Sequence, residues 1–403
     1  MKEHVVVVGG GQAGSSVVTK LRALGFEGDI SLYCSENVLP YQRPPLSKKY
    51  LLGELDVERL FLRSAGFYSD QKIQVHLGVE VTAIDRQAKT LTCDGENISY
   101  DKLVFSTGSR PLRLPASIGG DLEGVLTVRN LRDVDLMAKE FVQDRHVLIV
   151  GGGYIGLEAA AVAATRGLKV TLVEMADRIL KRVAAPETSV FFRDLHKQHG
   201  VNVLENTGLE RLVGEGRVKS AVLSDGSEID VDFVIVGIGI LPETTLAESI
   251  GIKLNNGIET DAFGMTSDPS IYAAGDCASF PMDGAHIRLE SVQNAIDQAE
   301  LIAKNIMGAQ EHYRPKPWFW SDQFDVKLQI AGLNTGYNRV VTRPGAKANS
   351  GSFWYFRGNQ LLAVDAMNDA RSYMVGKRLI EAGKSPDAAL LENPAIDLKS
   401  LLK

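Results

Sequence analysis

One pattern occurs twice in this chain and limits the folds open to it. His4-Val-Val-Val-Val-Gly-Gly-Gly-Gln-Ala-Gly14 returns 142 residues later as His146-Val-Leu-Ile-Val-Gly-Gly-Gly-Tyr-Ile-Gly156. Each copy is an apolar run rich in β-branched residues, then G-x-G-x-x-G, then an alanine-rich stretch with helical spacing. A strand that turns sharply into a helix presents backbone N–H groups to a phosphate. Gly9 and Gly151 suit the tight turn, and Gly11 and Gly153 let a pyrophosphate approach the backbone. Gly14 and Gly156 let the helix lie close on its strand. One copy alone is a weak signal. Two predict two dinucleotides in one chain, and therefore electron transfer.

A chain of 403 residues has room for two or three domains. Its 44% hydrophobic and 23% charged residues are those of a globular protein, with no apolar run of the roughly 18 residues a membrane span needs. A first strand starting at residue 4 leaves no room for a secretory leader, so the cytoplasm is the expected location. A net charge of -6 without a long basic run argues against nucleic acid as a partner. The three cysteines, Cys34, Cys93 and Cys277, form no Cys-x-x-Cys pair and are one short of a cysteine-ligated iron–sulfur cluster.

In the first unit the predicted strand 4–8 leads to a helix with Ala13, Val17, Leu21 and Leu24 on one face, then a strand from Ile30 to Cys34. Pro40, Pro44 and Pro45 exclude helix from loop 35–48, and Leu103 to Gly108 reads as a closing strand before a linker at 110–115. The second unit repeats this order. Its helix carries Ile155, Ala159, Val162 and Ala163, its second strand runs Val170 to Val173, and 232–242 reads as one buried strand ended by Pro242. Alternating strands and helices predict a doubly wound parallel α/β sheet in each unit. Beyond about residue 314 the texture becomes α+β: a hairpin of 353–356 and 361–364 around Arg357-Gly-Asn-Gln360, then a helix from Tyr373 to Ala382.

The second strand after a dinucleotide loop often ends in an acid that takes a ribose diol. In the second unit this is Glu174, which favours NADH by repelling a 2′-phosphate, although Arg178 and Arg182 stand near enough to compensate. The equivalent first-unit position is Cys34, a packing residue, so the ribose contact falls to Ser35 or Glu36. The segment 266–276 delivers Gly275 and Asp276 to a strand end, where a carboxylate can hold a polyol. His196 and His199 lack an evident third metal ligand, and Cys277 reads as packed.

These segments, with Ser106-Thr-Gly108 and Glu290-Ser-Val-Gln-Asn-Ala295, resemble the two-dinucleotide flavoprotein reductases. More narrowly, Arg43-Pro-Pro-Leu-Ser-Lys48, Gly151-Gly-Gly-Tyr-Ile-Gly-Leu-Glu158 and Pro317-Trp-Phe-Trp-Ser-Asp-Gln323 look like the NADH-dependent ferredoxin reductases of bacterial oxygenase systems. The resemblance covers nearly the whole chain. It implies two Rossmann-like domains: an FAD domain, 1–111 and 242–313, split by an inserted NAD domain, 112–241, followed by a C-terminal α+β domain, 314–403. By position it implies FAD contacts from Gly9, Gly11, Ala13, Gly14, Ser35, Glu36, Arg43, Lys48, Val81, Arg129, Asp276 and Val292. NAD would meet Gly151, Gly153, Tyr154, Ile155, Gly156, Glu174 and Gly239. Lys48 and Glu158 are implied to pair near flavin N5, the helix from Ser291 to Met307 to face the flavin pyrimidine, and Trp320 to lie near the opposite ring face. Filling a core is the competing role for Trp320, and the two are compatible.

The function implied is NADH:ferredoxin oxidoreduction, in which FAD takes hydride from NADH and passes single electrons to a separate 2Fe–2S ferredoxin. That carrier would serve a cytochrome P450 or a ring-hydroxylating Rieske oxygenase. Arg63, Lys327 and Arg339 are candidates for its docking face. NADH oxidases, peroxidases and disulfide reductases of this architecture need a cysteine beside the flavin, and positions 40–48 hold none. Rubredoxin reduction differs only in the docking face and stays open. A signalling flavoprotein like apoptosis-inducing factor is the more distant alternative.

Overall fold

Runs of consecutive β-branched residues suit strands buried on both faces, and both copies of the repeat form them. The computed structural model describes residues 2–402. Two units are distinguished: one made of the chain up to Arg43, Asp56–Arg110 and Ile240–Pro315, the other of Pro44–Leu55, Pro111–Gly239 and the chain from Lys316.

The first unit is built on a five-stranded parallel sheet, in the order Ile271–Ala273, Lys102–Phe105, His4–Val8, Asp29–Cys34, Ile73–Leu77. The strand leading to the glycine loop is central. Val5 and Val7 face a core shared with helices Gln12–Ala23 and Val292–Ile306. Val6 and Val8 face a second core with Val81, Ile84 and Leu91 of the antiparallel sheet Val81–Asp85, Thr90–Cys93, Glu96–Ser99. Burying such side chains contributes about 1.5–3 kcal/mol each.

The second unit repeats the arrangement in the order Asn202–Leu204, Lys169–Val173, His146–Val150, Phe233–Val236, Val125–Leu126, all parallel. It also holds a five-stranded antiparallel sheet, Trp318–Gln323, Val326–Gly332, Gln360–Met367, Gly351–Arg357, Arg339–Pro344, packed against helix Ala370–Glu381. The parallel sheets and the C-terminal antiparallel sheet are the architecture expected from the sequence.

The duplication extends to the polar groups that start each sheet. His4 N–H donates to Asp101 at 2.7 Å, and its Nε2 lies 2.9 Å from Ser31 Oγ. His146 N–H donates to Asp232 at 2.7 Å, and its Nε2 lies 2.9 Å from Thr171 Oγ1. In both units a histidine therefore joins the central strand to both of its sheet neighbours, by its ring to one and by its N–H to the residue just before the other.

Several expectations need correction. The segment 232–242 is two strands, Phe233–Val236 and Ile240–Pro242, because Gly237-Ile-Gly239 interrupts the pairing and Gly239 has φ +121. The strand expected to reach Gly108 ends at Phe105, since Ser106 turns to donate to the Val8 and Gly9 carbonyls. Helix is not excluded from 35–48: a wide helical turn, Leu46–Tyr50, starts directly after Pro45, where a proline's missing N–H has no cost. Leu24 is the helix C-cap and 39% exposed, and Ile155, in the first helical turn beside the glycine loop, is 45% exposed, so neither completes its apolar stripe. The helix expected from Tyr373 begins at Ala370, capped by Asp369, which accepts Ser372 N–H at 3.0 Å.

Candidate functional site

The three glycines of each loop have three different surroundings. Gly9 has φ +116 and Gly151 φ +106, and an added methyl would strike the Ser106 or Gly237 carbonyl. At Gly14 and Gly156 a methyl would strike the Gly9 or Gly151 carbonyl, so each helix crosses its strand at backbone contact. At Gly11 and Gly153 a methyl would meet nothing within 4 Å. These two glycines are the N-caps of 12-residue helices that have no side-chain cap and no acid in the first turn. Uncapped N–H groups, the positive end of a helix dipole and open space in front fit the pyrophosphate of a dinucleotide.

The two copies differ at the next strand. Glu174 accepts the N–H of Gly152 and that of Ala176, each at 2.8 Å, so it braces its loop while keeping lone pairs for a ribose diol. Arg178 is tied to Ser189 Oγ at 2.6 Å and to the Lys181 carbonyl at 3.3 Å. In the first unit Cys34 is buried against Gly10, where a methyl would meet its Sγ. Burial, then the charge of Glu36, pushes the Cys34 thiol up to about 12. Glu36 accepts Tyr41 Oη and Arg43 Nη2, both at 2.6 Å, while Ser35 is exposed.

Gly275 and Asp276 follow the edge strand Ile271–Ala273 and reach the first loop at the same, carboxyl end of the parallel sheet. Gly275 has φ +81, donates its N–H to Gln298 Oε1 at 2.8 Å, and lies where a methyl would come 3.1 Å from the Ala13 Cβ. Asp276 accepts Ser109 Oγ at 2.9 Å. Val292 opens the helix that Ser291 caps, its Oγ accepting Asn294 N–H at 3.2 Å. Val81 is buried in the core with Val8 and Tyr33. Arg129 belongs to the second unit and is half-buried.

Also in the second unit, Lys48 Nζ meets Glu158 Oε2 at 2.7 Å. Lys48 sits where the helical turn breaks (φ -135, ψ -113), and Glu158 lies within helix Tyr154–Thr165, 3% exposed. Burial raises the Glu158 carboxyl above its ordinary value; Lys48, Ser321 and Ser47 oppose this. Ser47 and Ser321 donate to it at 3.1 and 2.8 Å. The arrangement can hold a fixed positive charge beside a buried anion.

Trp320 is half-buried, stacked on Trp318 at 5.4 Å between ring centres. Tyr154 lies 5.0 Å from the Phe319 ring, with its hydroxyl oxygen buried and without a partner. Burial, then the proximity of Asp365 and Tyr355, pushes the Tyr154 phenol well up. Asp365 accepts the hydroxyls of Tyr355 and Thr188. Burial lifts its carboxyl to about 6, against those two hydrogen bonds.

His196 and His199 both pack on the Phe324 ring, His196 edge-on at 5.0 Å and His199 stacked at 3.8 Å, and His196 Nε2 also lies 2.9 Å from Gln323 Oε1. Cys93 and Cys277 are buried like Cys34, and burial raises both thiols. Of the docking candidates, Arg339 pairs with Glu392 at 3.0 Å, Arg63 lies over the Phe67 ring and Lys327 is exposed. Sequence reasoning missed Ser47, Gln323 and the hydroxyl partnership of Ser321. The available signal was the polar pair Ser321 and Gln323, two apart on a strand and so on one face.

Two uncapped dinucleotide loops on parallel sheets, the second braced by an acid, define a two-dinucleotide oxidoreductase. The family model described as pyridine nucleotide-disulphide oxidoreductase matches residues 3–299, and the one described as reductase C-terminal matches 318–402. A ferredoxin–NAD(P)+ reductase of Sphingomonas sp. is 44% identical over 94% of this chain and 92% of its own. Putidaredoxin reductase of Pseudomonas putida is 38% identical over 99% of this chain and 97% of its own. A crystal structure of the covalent putidaredoxin reductase–putidaredoxin complex superposes with TM-score 0.96 at 37% identity, covering 99% of this chain and 98% of that one. The chain belongs to the pyridine nucleotide–disulphide oxidoreductases, in the group that carries the reductase C-terminal domain.

Proposed function

We propose that this chain is an NADH:ferredoxin oxidoreductase that uses FAD to reduce a separate 2Fe–2S ferredoxin serving a cytochrome P450 or a Rieske oxygenase. The observation that carries the reading is the full-length correspondence with reductases named for ferredoxin and putidaredoxin. The first unit would hold FAD through Gly9, Gly11, Ala13, Gly14, Ser35 or Glu36, Arg43 and Asp276, with Val81 and Val292 alongside. The second would hold NADH through Gly151, Gly153, Tyr154, Ile155, Gly156, Glu174 and Gly239. Arg129 and Lys48 are assigned to FAD by the resemblance. When bound, FAD supplies the conversion between two-electron hydride chemistry and one-electron transfer.

The chain's own contribution is electrostatic and positional. Glu158 keeps Lys48 in place, and a lysine so held stabilises negative charge developing nearby. Glu174 favours NADH, and the anchoring of Arg178 on Ser189 keeps that guanidinium from a 2′-phosphate. Trp320 supplies an aromatic surface for electron exit. Buried thiols at Cys34, Cys93 and Cys277 support an outgoing carrier over thiol chemistry within the chain. We assign the FAD domain to 1–111 and 242–313, the NAD domain to 112–241 and the remainder to the C-terminal domain. Free thiols support a cytoplasmic location. Among the described residues no helix is long and apolar enough to cross a membrane.

The test is NADH-dependent cytochrome c reduction by the purified yellow protein, with a 2Fe–2S ferredoxin, with a rubredoxin, and with neither. Strong stimulation by the ferredoxin is expected. Stimulation by rubredoxin alone would reassign the acceptor, and rapid peroxide or disulfide turnover without a carrier would overturn the proposal.

A further inference from the structure

The Lys48–Glu158 pair is the visible end of a longer buried chain. Glu158 Oε1 accepts Ser321 Oγ at 2.8 Å, Ser321 Oγ accepts Gln323 Nε2 at 3.1 Å, and Gln323 Oε1 lies 2.9 Å from His196 Nε2. Ser321, Gln323 and His196 are each 0% exposed. The residues come from helix Tyr154–Thr165, strand Trp318–Gln323 and helix Pro186–Gln198, all within the second unit.

The direction of every hydrogen bond in this chain follows from its end. A carboxylate paired with an ammonium only accepts, so Ser321 donates to it and must accept from Gln323. That turns the Gln323 carbonyl toward His196, which therefore donates from Nε2. Its Nδ1 is then bare, and it is buried with no partner. A neutral ring agrees with burial lowering this histidine to about 4. All the donors point toward Glu158, and their dipoles favour its charged form. A neutral amide in the middle does not relay protons, so the chain is no proton wire. What it can do is fix the carboxylate.

We infer that Ser321, Gln323 and His196 are positioning residues for Lys48: a buried chain polarised toward Glu158 that holds its carboxylate in one orientation and so keeps the ammonium where the reaction needs it. The inference rests on the proposed role of Lys48 in flavin reduction. A core that needed only filling would not bury an amide and an imidazole in sequence, since burying polar groups costs free energy that apolar side chains do not. Ser321 also adjoins Trp320, so one strand would place the aromatic surface and the carboxylate's donor on opposite faces.

The test uses the FAD-loaded enzyme and anaerobic stopped-flow bleaching by NADH, which separates the limiting rate from the NADH concentration at half that rate. Ser321→Ala should lower the limiting rate about tenfold, the effect of one hydrogen bond to a charged group, and leave half-saturation within about twofold. Ser321→Thr, which keeps the hydroxyl, should restore it. Gln323→Leu should act like Ser321→Ala and serves if that variant does not fold. A second readout needs no turnover: NMR of histidine-labelled holoenzyme should show His196 neutral with its proton on Nε2. That resonance should move in Ser321→Ala, two links away. An unmoved His196 and an unchanged rate, with Lys48→Met slow, would overturn the chain and leave the Lys48 reading standing. A Lys48→Met enzyme with a normal limiting rate would overturn both. No ferredoxin enters either assay, so the identity of the acceptor is tested apart.

Discussion

Glu174 braces the loop beside it: its carboxylate accepts Gly152 N–H at 2.8 Å while its other oxygen takes Ala176 N–H at 2.8 Å. The proposed choice of nucleotide would thus be joined to loop rigidity in one side chain. Glu174→Ala should raise the KM for NADH by about tenfold, corresponding to about 1.4 kcal/mol, and narrow the preference over NADPH. Steady-state kinetics with both nucleotides check this. An unchanged preference would remove Glu174 from the ribose site.

The first loop separates two effects of the same mutation. Gly14→Ala drives a methyl into the Gly9 carbonyl and should destabilise the fold by about 1–3 kcal/mol. Gly11→Ala meets nothing in the protein, so apoprotein stability should stay within about 0.5 kcal/mol. It should nonetheless purify with much less flavin, because the methyl would occupy the proposed approach of the pyrophosphate. Melting curves of the apoproteins and flavin absorbance per protein distinguish the two.

Removing Lys48 leaves a buried carboxylate without its cation, which costs about 3–5 kcal/mol while it stays charged. Burial already raises Glu158 and Lys48 opposes that, so in Lys48→Met the carboxyl rises further. A carboxyl whose folded value lies above its unfolded one stabilises fully below the unfolded value, and that stability is lost as pH rises through the folded value. The melting temperature of Lys48→Met should therefore fall as pH rises from acid toward neutral, more steeply than that of the parent. FAD should be retained and its reduction by NADH slowed. A Lys48→Met/Glu158→Gln double variant should lose the added pH dependence.

Asp365 gives the same sign in a defined window. It is fully buried, accepts the hydroxyls of Tyr355 and Thr188, and is lifted by burial from 3.8 to about 6. Its contribution is complete below its unfolded value and fades as pH rises through about 6, a loss of about 3 kcal/mol at about 1.36 per unit. Asp365→Asn should remove that component. Denaturant titrations at acid and neutral pH would show it, and equal pH slopes in parent and variant would refute it.

Much of this could be read from the chain. The glycine loops, Glu174 and the parallel sheets are local signals, because strand, turn and helix are consecutive in sequence. Breaks in regularity were harder. The interruption at Gly237-Ile-Gly239 is hidden inside an apolar run, and the helical turn at Leu46 follows two prolines that read as loop. Ile155 has the spacing of a core residue but stands 45% exposed, because it lies in the first helical turn beside the open glycine loop. Contacts distant in sequence left little trace beyond the shared strand face of Ser321 and Gln323. Ser321 and Gln323 meet Glu158 and His196 across 163 and 127 positions, and no local pattern encodes such a meeting.

All three cysteines lie inside the protein, and burial raises each thiol. A single cysteine introduced on the surface would then be the one readily alkylated position in the molecule. The enzyme could be attached to an electrode or a redox dye at a chosen point without first removing any native residue. Its electron output could be wired and measured directly, with no carrier protein between flavin and metal.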